Sequence, residues 1–204
     1  GETDPPSSVL ARAYLLGANA IRGGSDFFAD VIDAQQWRWR DVGFSIDLPT
    51  PALRGPIQLR NAASAIAALR TLDKPLPRAA IAEGVANARI RGRLQSVQRT
   101  GVEVLVDVGH NPQAARELAA ALKAAPVAGR TRAVFAALQD KDAAGVVEAL
   151  GGQVDDWHLA GLDGARAQSA QALQARLHDT AAAAAQQHAT VADALEAALA
   201  AAAG

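Results

Sequence analysis

The second half of this sequence predicts an α/β fold with a mostly parallel, doubly wound sheet, and three observations carry that expectation. Residues 102–112, V-E-V-L-V-D-V-G-H-N-P, form a short apolar run that ends in polar groups and breaks at a proline. From there onward strand-like and helix-like segments alternate at the pitch of β-α-β units, whose crossovers are right-handed. The helical segments open on Asn111, Ser169 and Thr190, residue types whose side-chain oxygen caps a helix N-terminus.

The run 102–108 is β-branched or apolar and of strand length, which favours an interior strand covered on both faces. Asn111 followed by Pro112 reads as N-cap and first helical position, since proline lacks an N–H that has no partner there anyway. Ala115, Leu118 and Leu122 follow at helical spacing. Asp107, Gly109, His110 and Asn111 therefore fall at a β-to-α crossover. In open parallel sheets that carboxyl edge binds ligands, because helix N-termini and free backbone N–H groups converge on it.

In chain order, Pro5 and Pro6 make residues 1–6 loop-like. Ser7 or Ser8 is expected to cap a short helix through Val9, Ala13 and Leu16, ended by Gly23, Gly24 and Ser25. Residues 27–31, 36–42 and 44–48 read as short strands joined by polar turns. Trp37 and Trp39 share one face and Arg38 and Arg40 the other; the tryptophans are expected to pack rather than form a ligand platform. A proline-rich connector, 49–56, leads to a small-residue helix over 58–71, whose alanines permit close approach and whose one polar group near the start is Asn61. A second helix, 77–87, has Pro77 near its first turn.

Helical spacing stops at residues 89–95, R-I-R-G-R-L-Q, which sets the expected domain boundary: 1–88 and 89–204. Residues 94–98 and 102–108 are joined by Arg99, Thr100 and Gly101, a hairpin-sized connection with glycine available for positive φ. A further buried strand is expected over 132–138, a helix over 140–150 with Ala143, Val146, Val147 and Leu150 on one face, and a strand over 156–160. Ser169 opens a helix carrying Leu173 and Leu177, and Thr190 one with Val191, Leu195, Ala198 and Leu199 inward. The alanines 181–185 read either as an extension of the preceding helix or as an exposed connector. The chain stops after a helix, where the alternation calls for another strand.

Composition narrows the function. The 204 residues are half hydrophobic and carry 20 Lys+Arg against 21 Asp+Glu, a net charge of −1 with no basic block. That argues against a nucleic-acid or membrane-surface role resting on electrostatics. No cysteine means neither a disulfide framework nor a thiolate metal site, which fits a reducing compartment. No apolar run approaches the roughly 18 residues of a spanning helix. There is no methionine, even at position 1, so an excerpt of a longer protein is expected.

Taken together, D-V-G-H-N-P at 107–112, G-R-L-Q at 92–95, L-Q-D-K-D at 138–142, Q-L-R-N-A-A-S-A at 58–65 and the opening G-E-T-D-P-P resemble the C-terminal part of the bacterial dihydrofolate synthase/folylpolyglutamate synthases, of the Mur-ligase superfamily. The resemblance implies a Rossmann-like C-terminal domain preceded by the tail of a P-loop-type ATPase domain. It implies a cytoplasmic, monomeric ligase that uses ATP and Mg²⁺ to join L-glutamate to dihydropteroate or a folate through an acyl phosphate. By position, Asn61 matches the family's adenine-side asparagine, Arg93 its nucleotide-binding arginine, and Asp107 the carboxylate that meets the ribose. His110 matches the histidine that faces the reacting centre, on the γ-phosphate side or toward the incoming glutamate, and is the expected catalytic residue. No G-x-x-x-x-G-K-[ST] occurs in the chain. In the family that loop, the metal ligands, the carbamylated lysine and the pterin pocket precede the stretch matched here, so no metal ligand is expected and the chain alone should not ligate. Two departures are the missing closing strand and residues 181–187, which replace a stretch leading to a short strand near Ala189 and Thr190.

Blander readings stand beside these. Asp107 is a common type of turn or cap residue, Asn61 a helix cap, and Arg93 a surface pair member. His110, between glycine and asparagine in a loop, has no packing reason to be there. His158, His178 and His188 read as structural or solvated, Lys141 and Asp142 as capping the next helix, and Arg166 as a strand-tip ligand contact. A UDP-muramyl amino-acid ligase shares the H-N-P-like turn and the Gly-Arg before it, although D-K-D and D-P-P favour the folate branch. A non-catalytic nucleotide-binding α/β module is the alternative from another class.

Overall fold

A computed structural model describes residues 4–53, 55–74 and 76–202. Residues 1–3, which begin the G-E-T-D-P-P opening, lie outside the described residues. The chain divides into two compact units between Arg91 and Gly92.

The first unit holds α1 (Ser7–Leu15), the strands β1 (Phe28–Val31), β2 (Gln36–Arg40) and β3 (Ser45–Pro49), then α2 (Pro56–Leu69) and α3 (Arg78–Asn87). The strands form an antiparallel meander in chain order, with Trp39 opposite Ile46 and Trp37 opposite Leu48. Alternation does what the sequence suggests: Trp37 and Trp39 are wholly buried, while on the outer face Arg38 forks onto Asp47 and Arg40 reaches Asp30. Trp39 donates its indole N–H to the Ala63 carbonyl at 3.0 Å, tying β2 to α2 where Ala63, Ile66 and Ala67 let the helix come close. Neither Ser7 nor Ser8 caps α1. Pro6 occupies the cap position with extended ψ, so Ser7 is already in the first turn, and no side chain caps that helix.

The second unit begins with β4 (Gln95–Arg99) and β5 (Val102–Val106). It continues with α4 (Pro112–Ala124), β6 (Arg132–Phe135), α5 (Ala143–Leu150), β7 (Asp156–Ala160), α6 (Ala170–Ala175), β8 (Gln186–His188) and α7 (Val191–Ala202). β6, β7 and β8 form a parallel sheet in that order, with α5 and α6 as the crossovers. Ala115, Val146, Val147, Leu150, Trp157, Leu159, Leu173 and Leu177 build its core. This is the expected α/β architecture with a parallel sheet.

One expectation is overturned. β5 is not an interior strand covered on both faces: among the described strands it pairs with β4 alone, and Val106 and Val108 are 42% and 52% exposed. Arg99 pairs with Val102, leaving a two-residue loop of Thr100 and Gly101, both at positive φ as a tight hairpin turn requires. A continuous apolar run states that a strand is present, but not which strands will flank it.

The alanine stretch is the connector of the two expected forms, exposed at Ala181, Ala183 and Ala184 but not throughout. Ala182 is fully buried in a turn and the chain then enters β8, so the short strand precedes Ala189 and Thr190. On α7 the inward positions are Ala194 and Ala198, with Leu195 and Leu199 half-buried and Val191 exposed. Thr190 and Asp193 cap that helix reciprocally. His158 is structural, as expected: it is 1% exposed and its Nδ1 lies 3.1 Å from Nε2 of His188, with the rings stacked.

Candidate functional site

The G-R-L-Q loop and the D-V-G-H turn are bound together through the backbone. Gly92 sits at φ +69°, gives its N–H to the Gln95 side chain at 3.0 Å and accepts the Val108 N–H at 2.9 Å. A Cβ at Gly92 would fall 2.7 Å from Cγ1 of Val108, so both the φ and the space demand glycine. Two residues on, Leu94 is buried at φ +45° and donates its N–H to Oδ2 of Asp107 at 2.9 Å. The other oxygen, Oδ1, accepts the Gly109 N–H at 2.7 Å. The half-buried Asp107 carboxylate thus clasps both segments. Arg93, between the two anchored residues, is held at the strand tip with its side chain exposed and no partner among the described residues.

His110 follows in the same turn, exposed, with Nδ1 3.1 Å from the Val108 carbonyl oxygen. A carbonyl only accepts, so Nδ1 carries the proton; in the neutral ring Nε2 then keeps its lone pair and faces away from that bond. Asn111 caps α4 as expected, accepting the Ala114 N–H at 2.9 Å, with Pro112 in the first turn.

Asp142 caps α5 by accepting the Gly145 N–H at 3.0 Å, which bears out the capping role read for the D-K-D turn. Lys141 instead pairs with Asp140 at 3.4 Å, and Arg166 reaches the same carboxylate at 3.3 Å. Desolvation pushes the Asp140 carboxyl up, but its backbone N–H together with Lys141 and Arg166 holds it below the ordinary carboxylate range. Arg166 at its strand tip is therefore part of an ion pair.

Sequence reasoning missed the brace behind this edge. Buried Gln168 donates to the Ala137 carbonyl at 2.7 Å and accepts from Arg176, whose guanidinium also donates to the Lys141 carbonyl. Gln139 donates to the carbonyls of Arg166 and Ala167. These bonds join the loops after β6 and β7. No local pattern marks a glutamine or a helix-end arginine for such a role.

The structure brings Arg93, Asp107 and His110 together in the second unit. Asn61 belongs to the first, exposed on α2, donating to Oε1 of buried Gln58 at 3.1 Å. It is not a helix cap: Gly55 holds that position. Among the described residues no group of three His, Asp or Glu side chains is placed to hold a metal ion. No helix among them is long and apolar enough to cross a membrane.

The family described as Mur ligase, glutamate ligase domain, matches residues 92–204. The dihydrofolate synthase/folylpolyglutamate synthase of Escherichia coli K12 is 38% identical over 174 residues, covering 85% of this chain and 40% of that protein. The E. coli FolC structure in complex with DHPP and ADP superposes with a TM-score of 0.82 at 36% identity, covering 98% of this chain and 46% of that one. A bifunctional folylpolyglutamate synthase/dihydrofolate synthase with Mn, AMPPNP and L-glutamate bound gives 0.81 at 34% identity, over 96% and 45%. The chain spans less than half the length of the relatives it matches.

Proposed function

Because the chain belongs to the Mur ligase family, and its relatives there are the dihydrofolate synthase/folylpolyglutamate synthases, we propose that it is the C-terminal part of an ATP-dependent ligase that joins L-glutamate to dihydropteroate, to a folate, or to both. A carboxylate does not acylate an amine until one of its oxygens can leave. The γ-phosphoryl group of ATP goes to that oxygen and ADP departs; the glutamate amine then attacks the carbonyl carbon, phosphate leaves, and the amine gives up a proton. Such a reaction depends on orientation and on neutralising phosphate charge.

The clasp between Asp107 and Leu94 is the observation that supports the reading most. It presents an exposed guanidinium donor, Arg93, beside a half-buried carboxylate acceptor on one strand tip, a pair suited to a nucleotide's phosphates and ribose. Arg93 gives positive charge to the phosphates. Asp107 offers the acceptor positions that Leu94 and Gly109 leave open to a ribose hydroxyl, a carboxylate having about four. Asn61 offers an amide to the adenine side. His110, with a proton on Nδ1, turns Nε2 to the glutamate as an acceptor for its ammonium, or to the phosphoryl group as a donor when the ring carries both protons. The magnesium and its ligands are assigned outside this chain, and the chain by itself binds nucleotide without ligating.

The test is phosphate release by the longer ligase that carries this chain, supplied with ATP, L-glutamate and dihydropteroate, or with a UDP-muramyl substrate and its amino acid. Release with dihydropteroate or folate is expected. Release with the UDP-muramyl substrate alone would transfer the chain to that branch. Calorimetry of this chain with ADP tests nucleotide binding, no binding leaving a scaffolding role; absence of phosphate release with every substrate, despite ADP binding, would favour the non-catalytic nucleotide-binding module.

A further inference from the structure

We propose that Gly145, in the first turn of α5, is a positioning residue for His110: it leaves free the space taken by the Pro112 ring, and so sets where α4 begins and how the preceding histidine is presented. The inference rests on the reading of His110 as a participant in the ligation. Glycine is among the poorest helix formers, so its place inside α5 calls for a packing reason. The reason is visible: a Cβ on Gly145 would lie 2.8 Å from Cγ of Pro112 and would crowd the carboxylate of Asp142. Real Cβ atoms do not come that close, and something must shift. The Asp142 oxygens are the end of a flexible side chain and can turn aside, at the cost of the cap they make to the Gly145 N–H. The proline ring has only its pucker to give, since its φ is locked, so the rest of the shift falls on its backbone.

Nor can the helices part. Ala115 on α4 and Ala143, Val146 and Val147 on α5 are buried in one core. A shift of Pro112 is also not absorbed between it and His110. Asn111 is held to the Ala114 N–H and the His110 ring to the Val108 carbonyl, so a shift at Pro112 acts on a turn already tied at both ends. Volume added at position 145 is therefore transmitted through Pro112 and Asn111 to the histidine that precedes them.

The experiment is steady-state kinetics on the longer ligase carrying Gly145→Ala, Pro112→Ala, both together, and His110→Ala. Gly145→Ala is expected to lower kcat about tenfold or more while the KM for ATP stays within about twofold. Adding Pro112→Ala removes the ring and restores most of that loss; a defect confined to the α5 cap would not respond. Wild-type turnover in Gly145→Ala, or a loss that Pro112→Ala leaves untouched, overturns the inference. If Gly145→Ala does not fold, the double variant is expected to regain both fold and turnover, and its failure to do so also overturns it. Full activity in His110→Ala would bring down the underlying reading instead, and is told apart because that variant leaves Gly145 in place.

Discussion

Asp107 accepts the backbone N–H of Leu94 at 2.9 Å, and this bond holds the loop before β4 to the end of β5 with Arg93 alongside. Asp107→Ala leaves two partly buried N–H groups, of Leu94 and Gly109, without their acceptor. The expected loss is about 1–3 kcal/mol of unfolding free energy, read from urea unfolding of this chain. Asp107→Asn keeps one acceptor oxygen and should lose less. An unchanged midpoint in the alanine variant would mean that water replaces the clasp.

Arg93 and His110 should separate kinetically in the longer ligase. Arg93→Ala is expected to raise the KM for ATP about tenfold, equivalent to about 1.4 kcal/mol, with a smaller change in kcat. His110→Ala should do the reverse, lowering turnover more than nucleotide affinity. Equal ADP affinity by calorimetry for wild type and Arg93→Ala would remove that arginine from the nucleotide site.

Two glycines with positive φ offer a matched comparison. At Gly101, φ +82°, a Cβ meets open space; at Gly92, φ +69°, it meets Val108 at 2.7 Å. Gly101→Ala should cost about 1 kcal/mol, the penalty of the left-handed conformation. Gly92→Ala should cost more, about 2–3 kcal/mol with the collision added. Chemical denaturation of both variants gives the order, and a Gly92→Ala cost no larger than that of Gly101→Ala would contradict the packing described.

The buried His158 makes stability fall on the acid side. Burial first, then the neighbouring His188 and Arg132, keeps its imidazole harder to protonate than the ordinary value of 6.5, against the opposing pull of Asp156. Below pH 6.5 the unfolded chain therefore takes up a proton that the folded chain refuses, and folding free energy drops with pH until the buried ring protonates as well. Unfolding midpoints between about pH 7.5 and 5 should decline in wild type. In His158→Gln they should decline less steeply; identical slopes would assign the acid sensitivity to other groups.

What the sequence made legible was local. Asn111, Asp142, Ser169 and Thr190 each cap the helix expected of them, because a cap needs only a side-chain oxygen and an N–H within three residues. The Trp37 and Trp39 alternation and the succession of strands and helices behind the parallel sheet were equally plain. What escaped depends on residues far apart in the chain. The apolar run of β5 reads as an interior strand, yet its surroundings are set by which strands pair with it. Gln168 and Arg176 gain their importance from carbonyls at Ala137 and Lys141 that only the folded sheet brings within reach. At the site, the turn 107–112 announced itself, whereas the clasp from Leu94 did not, since it requires an apolar residue at positive φ.

The two kinds of sheet in the second unit have unequal schedules. β4 and β5 meet across a two-residue turn, so their pairing belongs among events that take about 1–10 μs. β6, β7 and β8 close only after whole crossovers have been gathered in, which is the slower and more entropically costly step. The segment bearing Arg93 and Asp107 is thus in register early, waiting on a scaffold that arrives later, and substitutions in the hairpin should change the folding rate where those in β8 change the unfolding rate.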